Sequence, residues 1–262
     1  MSVITINNKK QALPGIDDSQ FQFIRDYLAR FPDEILHIPA MRIAFASARI
    51  DALTEEDLQV FDAQSGALAP WAVGHNLEFL KGKSSMLRPS MLVNPLRSID
   101  YIGANIKELK VLSVGPRTEA EIYSLVSVGF DPANIRGLDL LSYSDTIDLG
   151  DMHDMPYEDA SFDVIVAGWV FSYSTDPDRA AAEMHRVARP GAIIAAGCEY
   201  RPEKAAAPRG EGEEEDKARY DSSQDILDLF GDRVGQVYFR HDVHASLRDK
   251  PGGVMAIFEL FP

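Results

Sequence analysis

The sequence contains little cysteine, no long apolar run and no excess of basic residues. Its one cysteine, Cys198, cannot form a disulfide within the chain, which favours a reducing compartment. The first residues include no apolar run of signal-peptide length, and the longest apolar stretches are far too short to cross a bilayer. A net charge of −15 at pH 7 disfavours binding to nucleic acid or to an anionic membrane. We therefore expect a soluble, cytoplasmic protein without a nucleic-acid or membrane partner.

The rest of the composition is that of a globular protein. Of the 262 residues, 45% are hydrophobic, which suffices for one large α/β domain with an appendage or for two small domains. In residues 1–105, Asp17-Asp18-Ser19 and Thr54-Glu55-Glu56-Asp57 look like helix starts, the second leading into a helix that ends near Gly66. We predict a helical N-terminal cap over residues 1–105, which covers the carboxyl edge of a sheet, and an α/β domain over residues 106–262.

From Leu109 onward, short apolar runs alternate with helical patterns, which is typical of a parallel sheet. The link between the last two runs, residues 249–253, suits an antiparallel hairpin. The predicted strands are Lys110–Val114, Ile135–Asp139, Thr146–Leu149, Phe162–Ala167, Ala192–Gly197, Val234–His241 and Val254–Phe261. The predicted helices of this part are Glu119–Val128, Pro177–Val187 and Ser223–Phe230.

The first of these strands and the turn after it form a nucleotide-binding pattern. Residues 111–119 are an apolar strand that runs into a turn and a helix, so that backbone N–H groups face a ligand. Asp139 ends the next strand, close to the spacing of about 20 residues at which a carboxylate accepts hydrogen bonds from ribose hydroxyls. Three more motifs follow where loops at strand ends are expected: Asp151 to Tyr157, Ser161-Phe162-Asp163, and Arg186 to Gly191.

Together these motifs resemble the class I S-adenosylmethionine-dependent methyltransferases, specifically a type 11-like core with a degenerate glycine-rich motif. The resemblance covers about Leu109 to Gly197. It implies a Rossmann-like α/β fold, with a seven-stranded, mostly parallel sheet, one reversed strand and helices on both faces. It also implies that residues 106–262 bind S-adenosylmethionine as the cofactor and catalyse methyl transfer.

The resemblance places the cofactor-binding residues at four strand ends. They are Gly115, Pro116, Arg117, Thr118 and Glu119 at the methionine part, Asp139 and Leu140 at the ribose, Asp151, Met152 and His153 at the adenine, and Gly168 and Trp169 beside the sulfonium. The exocyclic amine of adenine suits a carboxylate acceptor such as Asp151.

The turn after the first strand departs from the family pattern, which usually reads acidic-x-Gly-x-Gly-x-Gly. Ser113 replaces the carboxylate, Arg117 the second glycine and Glu119 the third. In one interpretation, Arg117 pairs with the carboxylate of the cofactor and Glu119 with its ammonium group. In the other, Arg117 fills the pocket, and the protein is a catalytically silent, methyltransferase-like scaffold or regulator. A third hypothesis, a nicotinamide-dependent oxidoreductase, would need the missing second glycine as well.

The predicted reaction is methylation of an oxygen or nitrogen atom of a small molecule. Tyr173 and His153 are the candidates for substrate contact or proton transfer, although Tyr173 also suits a wall position and His153 a cofactor-proximal or exposed one. His241, Asp242 and His244 lack the spacing of a metal site, so no metal is expected. Self-association as a homodimer is compatible with the sequence.

Three further features bear on the site. A basic stretch from His75 to Arg88 either faces an anionic ligand from a lid or is a solvated helix face. An acidic cluster between Pro202 and Ser222 is expected to be a solvated loop. No Ser-His-Asp arrangement stands out in the sequence.

Overall fold

The computed structural model describes residues 17–61, 74, 90–202 and 219–261. Its helices are α1 (Asp18–Arg30), α2 (Pro39–Ala52), α3 (Ser90–Leu96), α4 (Asp100–Asn105), α5 (Glu119–Val128), α6 (Pro177–Val187) and α7 (Ser223–Asp228). Its strands are β1 (Gln59–Val60), β2 (Val111–Val114), β3 (Ile135–Asp139), β4 (Leu141–Ser142), β5 (Ile147–Leu149), β6 (Phe162–Gly168), β7 (Ala188–Tyr200), β8 (Val234–His241) and β9 (Gly252–Leu260). From β2 onward, every predicted strand and helix is present within a few residues of its predicted bounds.

Seven of these strands form one twisted sheet in the order β5-β3-β2-β6-β7-β9-β8. Strand β2 pairs in parallel with β3 on one side and β6 on the other, and β7 extends the parallel part beside β6. Strand β9 runs antiparallel to both of its neighbours, β7 and β8. The predicted seven-stranded sheet with one reversed strand and a terminal hairpin is therefore confirmed.

The strands of this sheet are apolar on both faces because helices cover both faces. In β6, Val164 and Val166 point into one core cluster, whereas Ile165 and Ala167 point into the other. The alternation follows from the two-residue period of a strand. Helices α3 and α5 contribute side chains to the first cluster, and α6 and α7 to the second. The fold is thus the three-layer α/β arrangement that the sequence predicts.

The starts of α1 and α6 are fixed by side-chain caps. Asp17 accepts the backbone N–H of Gln20 at 2.8 Å, and the side chain of Gln20 accepts the N–H of Asp17 at 3.0 Å, which forms a capping box at the start of α1. Asp176 accepts the N–H of Arg179 at 3.2 Å, and Pro177 occupies the first position of α6, where its missing N–H costs nothing.

The prediction of a helix from Thr54 towards Gly66 is wrong over residues 54–61, which the structure describes. Thr54 and Asp57 do form a capping box, but the helix after it is a single 3-10 turn, Glu55–Asp57. The chain then enters β1, whose residues pair antiparallel with β4 as a separate two-stranded sheet. Pairing with a strand that lies far along the chain overrides the local helical signal, and no local pattern reveals that partner.

The helices nearest to the sheet begin before residue 106. Leu92, Val93 and Leu96 of α3 and Ile102 of α4 are buried in the core cluster that covers one face of the sheet. Helices α1 and α2, in contrast, lie outside this core, and α2 packs against α5. Residues 90–105 thus support the sheet, although the sequence groups them with the N-terminal cap.

Candidate active site

A crevice opens at the carboxyl ends of β2, β3 and β6. The chain leaves β2 towards β3 on one side and later returns to β6 on the other side, so this is the point at which an open α/β sheet binds its ligand. The crevice has an empty volume of about 490 Å3, its open mouth included. It is lined by Val114, Gly115, Arg117, Leu138, Asp139, Leu140, Gly150, Met152, Gly168, Trp169, Val170 and Tyr173.

The turn after β2 keeps one position that only glycine fits. Gly115 has a φ of +67°, and a Cβ atom there would lie 2.4 Å from Cγ1 of Val170. Arg117, which stands where the family has its second glycine, also has a left-handed φ of 36°. A non-glycine residue in that region stores strain of about 1–3 kcal/mol, so the surrounding contacts must hold Arg117 in place.

Asp139 at the end of β3 supplies one of those contacts. Its Oδ2 accepts the backbone N–H of Arg117 at 3.2 Å, and its Oδ1 accepts the N–H of Leu141 at 3.1 Å. The side chain is buried at the base of the crevice. The Asp139 carboxylate therefore holds the turn and lines the crevice at the same time.

Arg117 and Tyr173 meet across the crevice. Nη2 of Arg117 donates a hydrogen bond to the hydroxyl of Tyr173, and the guanidinium carbon lies 5.5 Å from the centre of the Tyr173 ring. A cation at this distance from an aromatic ring is stabilised by it. The positive charge of Arg117 is thereby held at the crevice, within reach of an anionic group on a ligand.

The wall opposite Asp139 is formed by the end of β6. Trp169 has a positive φ of 62°, and its backbone N–H donates to the carbonyl of Gly197 at 2.7 Å. This bend carries the chain out of β6 and into a short 3-10 helix, Phe171–Tyr173, which brings Tyr173 to the crevice. Gly168 and Trp169 therefore lie where the sequence places them, in the crevice lining.

Three other turn residues do not line the crevice with their side chains. Pro116 packs against Gly137, and Thr118 is the buried residue that precedes α5. The carboxylate of Glu119 is 2.8 Å from Nε of Arg49 in α2, and the hydroxyl of Tyr123 donates to it at 3.4 Å. The expected contact of Glu119 with an ammonium group is thus not supported, because α2 already binds this carboxylate.

Two tyrosines complete the surroundings of Glu119. Burial, with the charge of Glu119 second, raises the pKa of Tyr123 to about 12. Burial likewise raises the pKa of Tyr143, whose hydroxyl oxygen accepts the backbone N–H of Glu119 at 3.0 Å. Both hydroxyls therefore stay protonated at neutral pH, and Glu119 serves to anchor α2 on α5.

His153 and Asp151 lie behind the crevice wall, with Met152 between them in the lining. The imidazole of His153 is buried and lies 2.6 Å from both Oδ1 of Asp151 and Oγ of Ser174. A Ser-His-Asp arrangement is therefore present, although none stands out in the sequence. Both ring nitrogens have partners and the ring is covered, so the suggestion that His153 is an exposed histidine is wrong.

The N-terminal region reaches the crevice at Phe61. The N–H of Phe61 donates to the carbonyl of Leu140 at 2.8 Å, directly after the pairing of β1 with β4. Its half-buried ring packs against Leu140, as does that of Tyr173. Residues 62–73 and 75–89 of the expected cap, which include the basic stretch from His75 to Arg88, fall outside the described residues. The described helices α1 and α2 do not line the crevice.

The other candidates from the sequence have local roles. Asp242 accepts the N–H of Ser223, the first residue of α7, and His244 accepts the N–H of Ser246 at 3.3 Å. Burial raises the pKa of the Cys198 thiol well above its usual value, which keeps it unreactive. The acidic cluster between Pro202 and Ser222 lies outside the described residues. In the part of the chain that the structure describes, no helix is long and apolar enough to cross a membrane.

Comparison with known families gives one match, which lies within the α/β domain. Residues 117–196 match the family model described as a methyltransferase domain. The match begins at Arg117, in the altered turn, and ends in β7. It therefore includes Asp139, Met152 and Tyr173 of the crevice, although it spans less than half of the chain.

This chain is similar to solved structures of methyltransferases, one of which has a TM-score above 0.5. The N1-methyltransferase for 1,6-didemethyltoxoflavin from Burkholderia thailandensis, solved with that compound and S-adenosylhomocysteine, is 12% identical, with a TM-score of 0.51 over 78% of this chain and 95% of that chain. A methyltransferase from Aquifex aeolicus is 21% identical, with a TM-score of 0.43 over 70% and 97% of the two chains. The complex of the Haloferax volcanii Trm112 activator with a methyltransferase is 18% identical, with a TM-score of 0.48 over 73% and 96%.

Proposed function

We propose that this chain, a class I S-adenosylmethionine-dependent methyltransferase by its domain and its fold, methylates an oxygen or nitrogen atom of a small molecule. The observation that supports this most is the crevice at the carboxyl ends of β2, β3 and β6. It joins a buried carboxylate on β3, a glycine turn after β2 and a cation at the mouth. Those three groups suit the ribose, the nucleoside and the carboxylate of the cofactor.

The residues present fit S-adenosylmethionine. Gly115 lets the turn take a left-handed bend at the crevice, and Asp139 offers a buried carboxylate to the ribose hydroxyls. Arg117 replaces the backbone contacts of the lost glycine with a charge-assisted contact to the carboxylate, while Met152 and Asp151 belong to the adenine side. When bound, the cofactor supplies an electrophilic methyl group on a sulfonium.

A small acceptor agrees with the walls of the crevice. Its walls are mostly apolar, and Phe61, Leu140 and Tyr173 form an apolar contact beside it. A net charge of −15 disfavours a nucleic-acid acceptor. The chain therefore contributes mainly by positioning the acceptor and excluding water, which is sufficient for much of the rate of a group transfer.

Tyr173 is the proposed substrate-contacting residue. Its ring lines the crevice, and its hydroxyl accepts from Arg117. A phenolic hydroxyl is both a donor and an acceptor, which suits contact with an oxygen or nitrogen of the acceptor. Tyr173 thus orients the acceptor while Arg117 binds the cofactor. The hydrogen bond between these two residues positions both side chains.

The contact between Arg117 and Tyr173 also supports a second candidate function. With Arg117 bound to Tyr173 across the crevice, the guanidinium occupies space that the amino-acid part of the cofactor requires. If that contact is permanent, the protein is a catalytically silent scaffold. The two functions differ in one measurable property, which is ligand binding.

Calorimetric titration with S-adenosylmethionine and S-adenosylhomocysteine separates these functions. We expect both compounds to bind, and S-adenosylhomocysteine at 100 times its Kd to raise the free energy of unfolding by about 2.7 kcal/mol. Binding of neither supports the scaffold, and binding of a nicotinamide dinucleotide instead supports an oxidoreductase. For the acceptor, methyl-labelled cofactor should label small molecules of a cell extract on oxygen or nitrogen, whereas label on protein or nucleic acid contradicts the proposal.

A further inference from the structure

The apolar side of helix α1 faces solvent. At 3.6 residues per turn, its large apolar residues Phe21, Phe23, Ile24, Tyr27 and Phe31 lie within one half of the helix circumference. The rings of Phe23 and Tyr27 stack with 6.1 Å between their centroids, and the centroids of Tyr27 and Phe31 are 5.0 Å apart. Phe21 is nevertheless 65% exposed and Phe23 is 69% exposed.

Helix α1 therefore gains little stability from its own chain. Within the described residues, none of its side chains is buried. An isolated helix of 13 residues is only marginally stable in water, because most helical stability in proteins comes from packing of an apolar side. A partner that covers this side would supply that packing.

Helix α2 extends the exposed surface. Ile38 at its start, and Met41 and Phe45 within it, are also large, apolar and exposed. The 3-10 segment Pro32–His37 connects α1 with α2 and packs against both helices. We call these three residues, together with the five of α1 and its C-terminal end, the apolar face. Its side chains are between 36% and 69% exposed.

A groove in the same surface can receive a projecting ring. It lies between α1, the 3-10 segment, α2 and α5, and its apolar lining includes Leu28, Ile35, Phe45 and Tyr123. Its empty volume is about 710 Å3, its open mouth included. The surface thus presents both projecting rings, such as that of Phe23, and a hole. A two-fold symmetric interface needs this combination, because the same patch on both copies must fit itself.

The area of the apolar face is that of an interface. With about 200 Å2 for the surface of one large side chain, the exposed parts of its eight residues amount to roughly 750 Å2. Each partner of a standard stable interface contributes about 800 Å2. Exposed apolar patches of more than a few hundred Å2 are rare on monomeric proteins, so a patch of this size marks a contact surface.

The charges around the apolar face suit a second copy of the chain. Residues 17–52 hold six acidic and four basic side chains, whereas the whole chain has a net charge of −15. Most of the charge repulsion between two copies therefore comes from other surfaces. Arg25 and Arg30 flank the face on α1, and Asp33 and Glu34 follow in the 3-10 segment. A two-fold axis can pair the basic groups of one copy with the acidic groups of the other.

A lipid surface fits this region less well. A helix that lies on an anionic membrane is rich in Lys and Arg on its polar side. The polar side of α1 instead carries Asp18 and Asp26 beside Arg25 and Arg30. The mixed charges favour a protein surface with both signs, which a second copy provides.

We propose that the apolar face is the surface through which two copies of this chain form a homodimer. Phe21 and Phe23 are the most exposed side chains of the face and serve as its anchors, and the groove of the other copy accepts them. The dimer requires no ligand in the crevice, so this inference goes beyond the proposed function and does not depend on it.

Analytical ultracentrifugation of wild-type protein and of Phe23→Asp tests the proposal. We expect the wild-type protein to sediment with twice the chain mass of 29.0 kDa. Phe23→Asp should raise the Kd of the dimer at least a hundredfold, because a charge replaces an anchor in both copies. Leu247→Asp is the matched control. Leu247 is an apolar residue outside the face that is 47% exposed, so this variant should keep the Kd within about twofold of wild type.

Hydrogen exchange of the wild-type protein needs no variant. The amides of α1 should exchange more slowly as the protein concentration rises through the Kd of the dimer, whereas those of α7 should not change. This measurement decides the question if Phe23→Asp fails to fold in thermal unfolding. Protection of α1 that is independent of concentration would mean that the chain covers the face itself, which overturns the inference.

Three other results overturn the inference as well. The first is a wild-type protein that stays monomeric at every concentration. The second is a folded Phe23→Asp protein that dimerises like wild type, because the contact then lies on another surface. The third is a monomer that sediments with vesicles of phosphatidylcholine and phosphatidylglycerol, which would assign the face to a lipid surface. None of these results bears on cofactor binding in the crevice.

Discussion

Replacing Asp139 with Ala should raise the Kd for S-adenosylhomocysteine at least a hundredfold. The carboxylate is the proposed acceptor for the ribose hydroxyls, and a hydrogen bond to a charged group contributes about 1.5–3 kcal/mol. The variant also removes the acceptor of the Arg117 and Leu141 N–H groups, so the turn that carries Arg117 loses its support. Calorimetric titration of the variant and the wild-type protein measures the change.

Two further variants make this result interpretable. Asp139→Asn keeps the size of the side chain and one acceptor oxygen, so we expect an intermediate loss. Asp145→Ala removes the same charge from an exposed position in the loop before β5 and should leave the Kd within about twofold of wild type, as is usual for surface changes. A folded Asp139→Ala protein with wild-type affinity would show that the ribose does not bind at β3.

Arg117→Ala should weaken S-adenosylhomocysteine binding about 10- to 100-fold and leave binding of methylthioadenosine within about twofold. One charge-assisted hydrogen-bond contact is worth about 1.5–3 kcal/mol, and each 1.4 kcal/mol is a factor of ten. Methylthioadenosine lacks the amino-acid part, so it has no carboxylate for Arg117 to bind. The difference between the two ligands in their loss of affinity measures the contact between Arg117 and the carboxylate. Neither ligand measures this contact alone.

The controls for Arg117 test its charge and its strain separately. Arg136→Ala removes an exposed guanidinium from β3 whose bond goes to the carbonyl of Asp145, and it should not change either affinity. Arg117→Gly relieves the left-handed conformation, so we expect it to be at least as stable as wild type in thermal unfolding while it binds S-adenosylhomocysteine less tightly. Tighter binding of both ligands by Arg117→Gly would mean that the guanidinium obstructs the crevice.

The strands and the position of the crevice could be predicted from the sequence because their signals are local. Apolar runs mark buried strands, and Gly115 and Asp139 each follow directly from such a run. Once the strands are parallel, their carboxyl ends must meet at one edge of the sheet. The family resemblance adds the remaining positions, and seven residues of the expected cofactor set line the crevice: Gly115, Arg117, Asp139, Leu140, Met152, Gly168 and Trp169.

The features that could not be predicted depend on partners that lie far apart in the sequence. Glu119 stands in a glycine position of the turn, and only the packing of α2 on α5 reveals that Arg49 binds its carboxylate. The same holds for β1, whose partner β4 lies some eighty residues later. His153 and Ser174 are also separated by a helix turn and a whole strand, so their contact has no sequence signature.

The most direct test of the account is a crystal structure of the protein with S-adenosylhomocysteine. We expect the nucleoside between Asp139 and Met152, with the guanidinium of Arg117 released from Tyr173 and bound to the ligand carboxylate. A structure from a crystal saturated with the ligand, in which Arg117 still contacts Tyr173 and no nucleoside lies beside Asp139, would contradict the claim that this altered turn binds the cofactor.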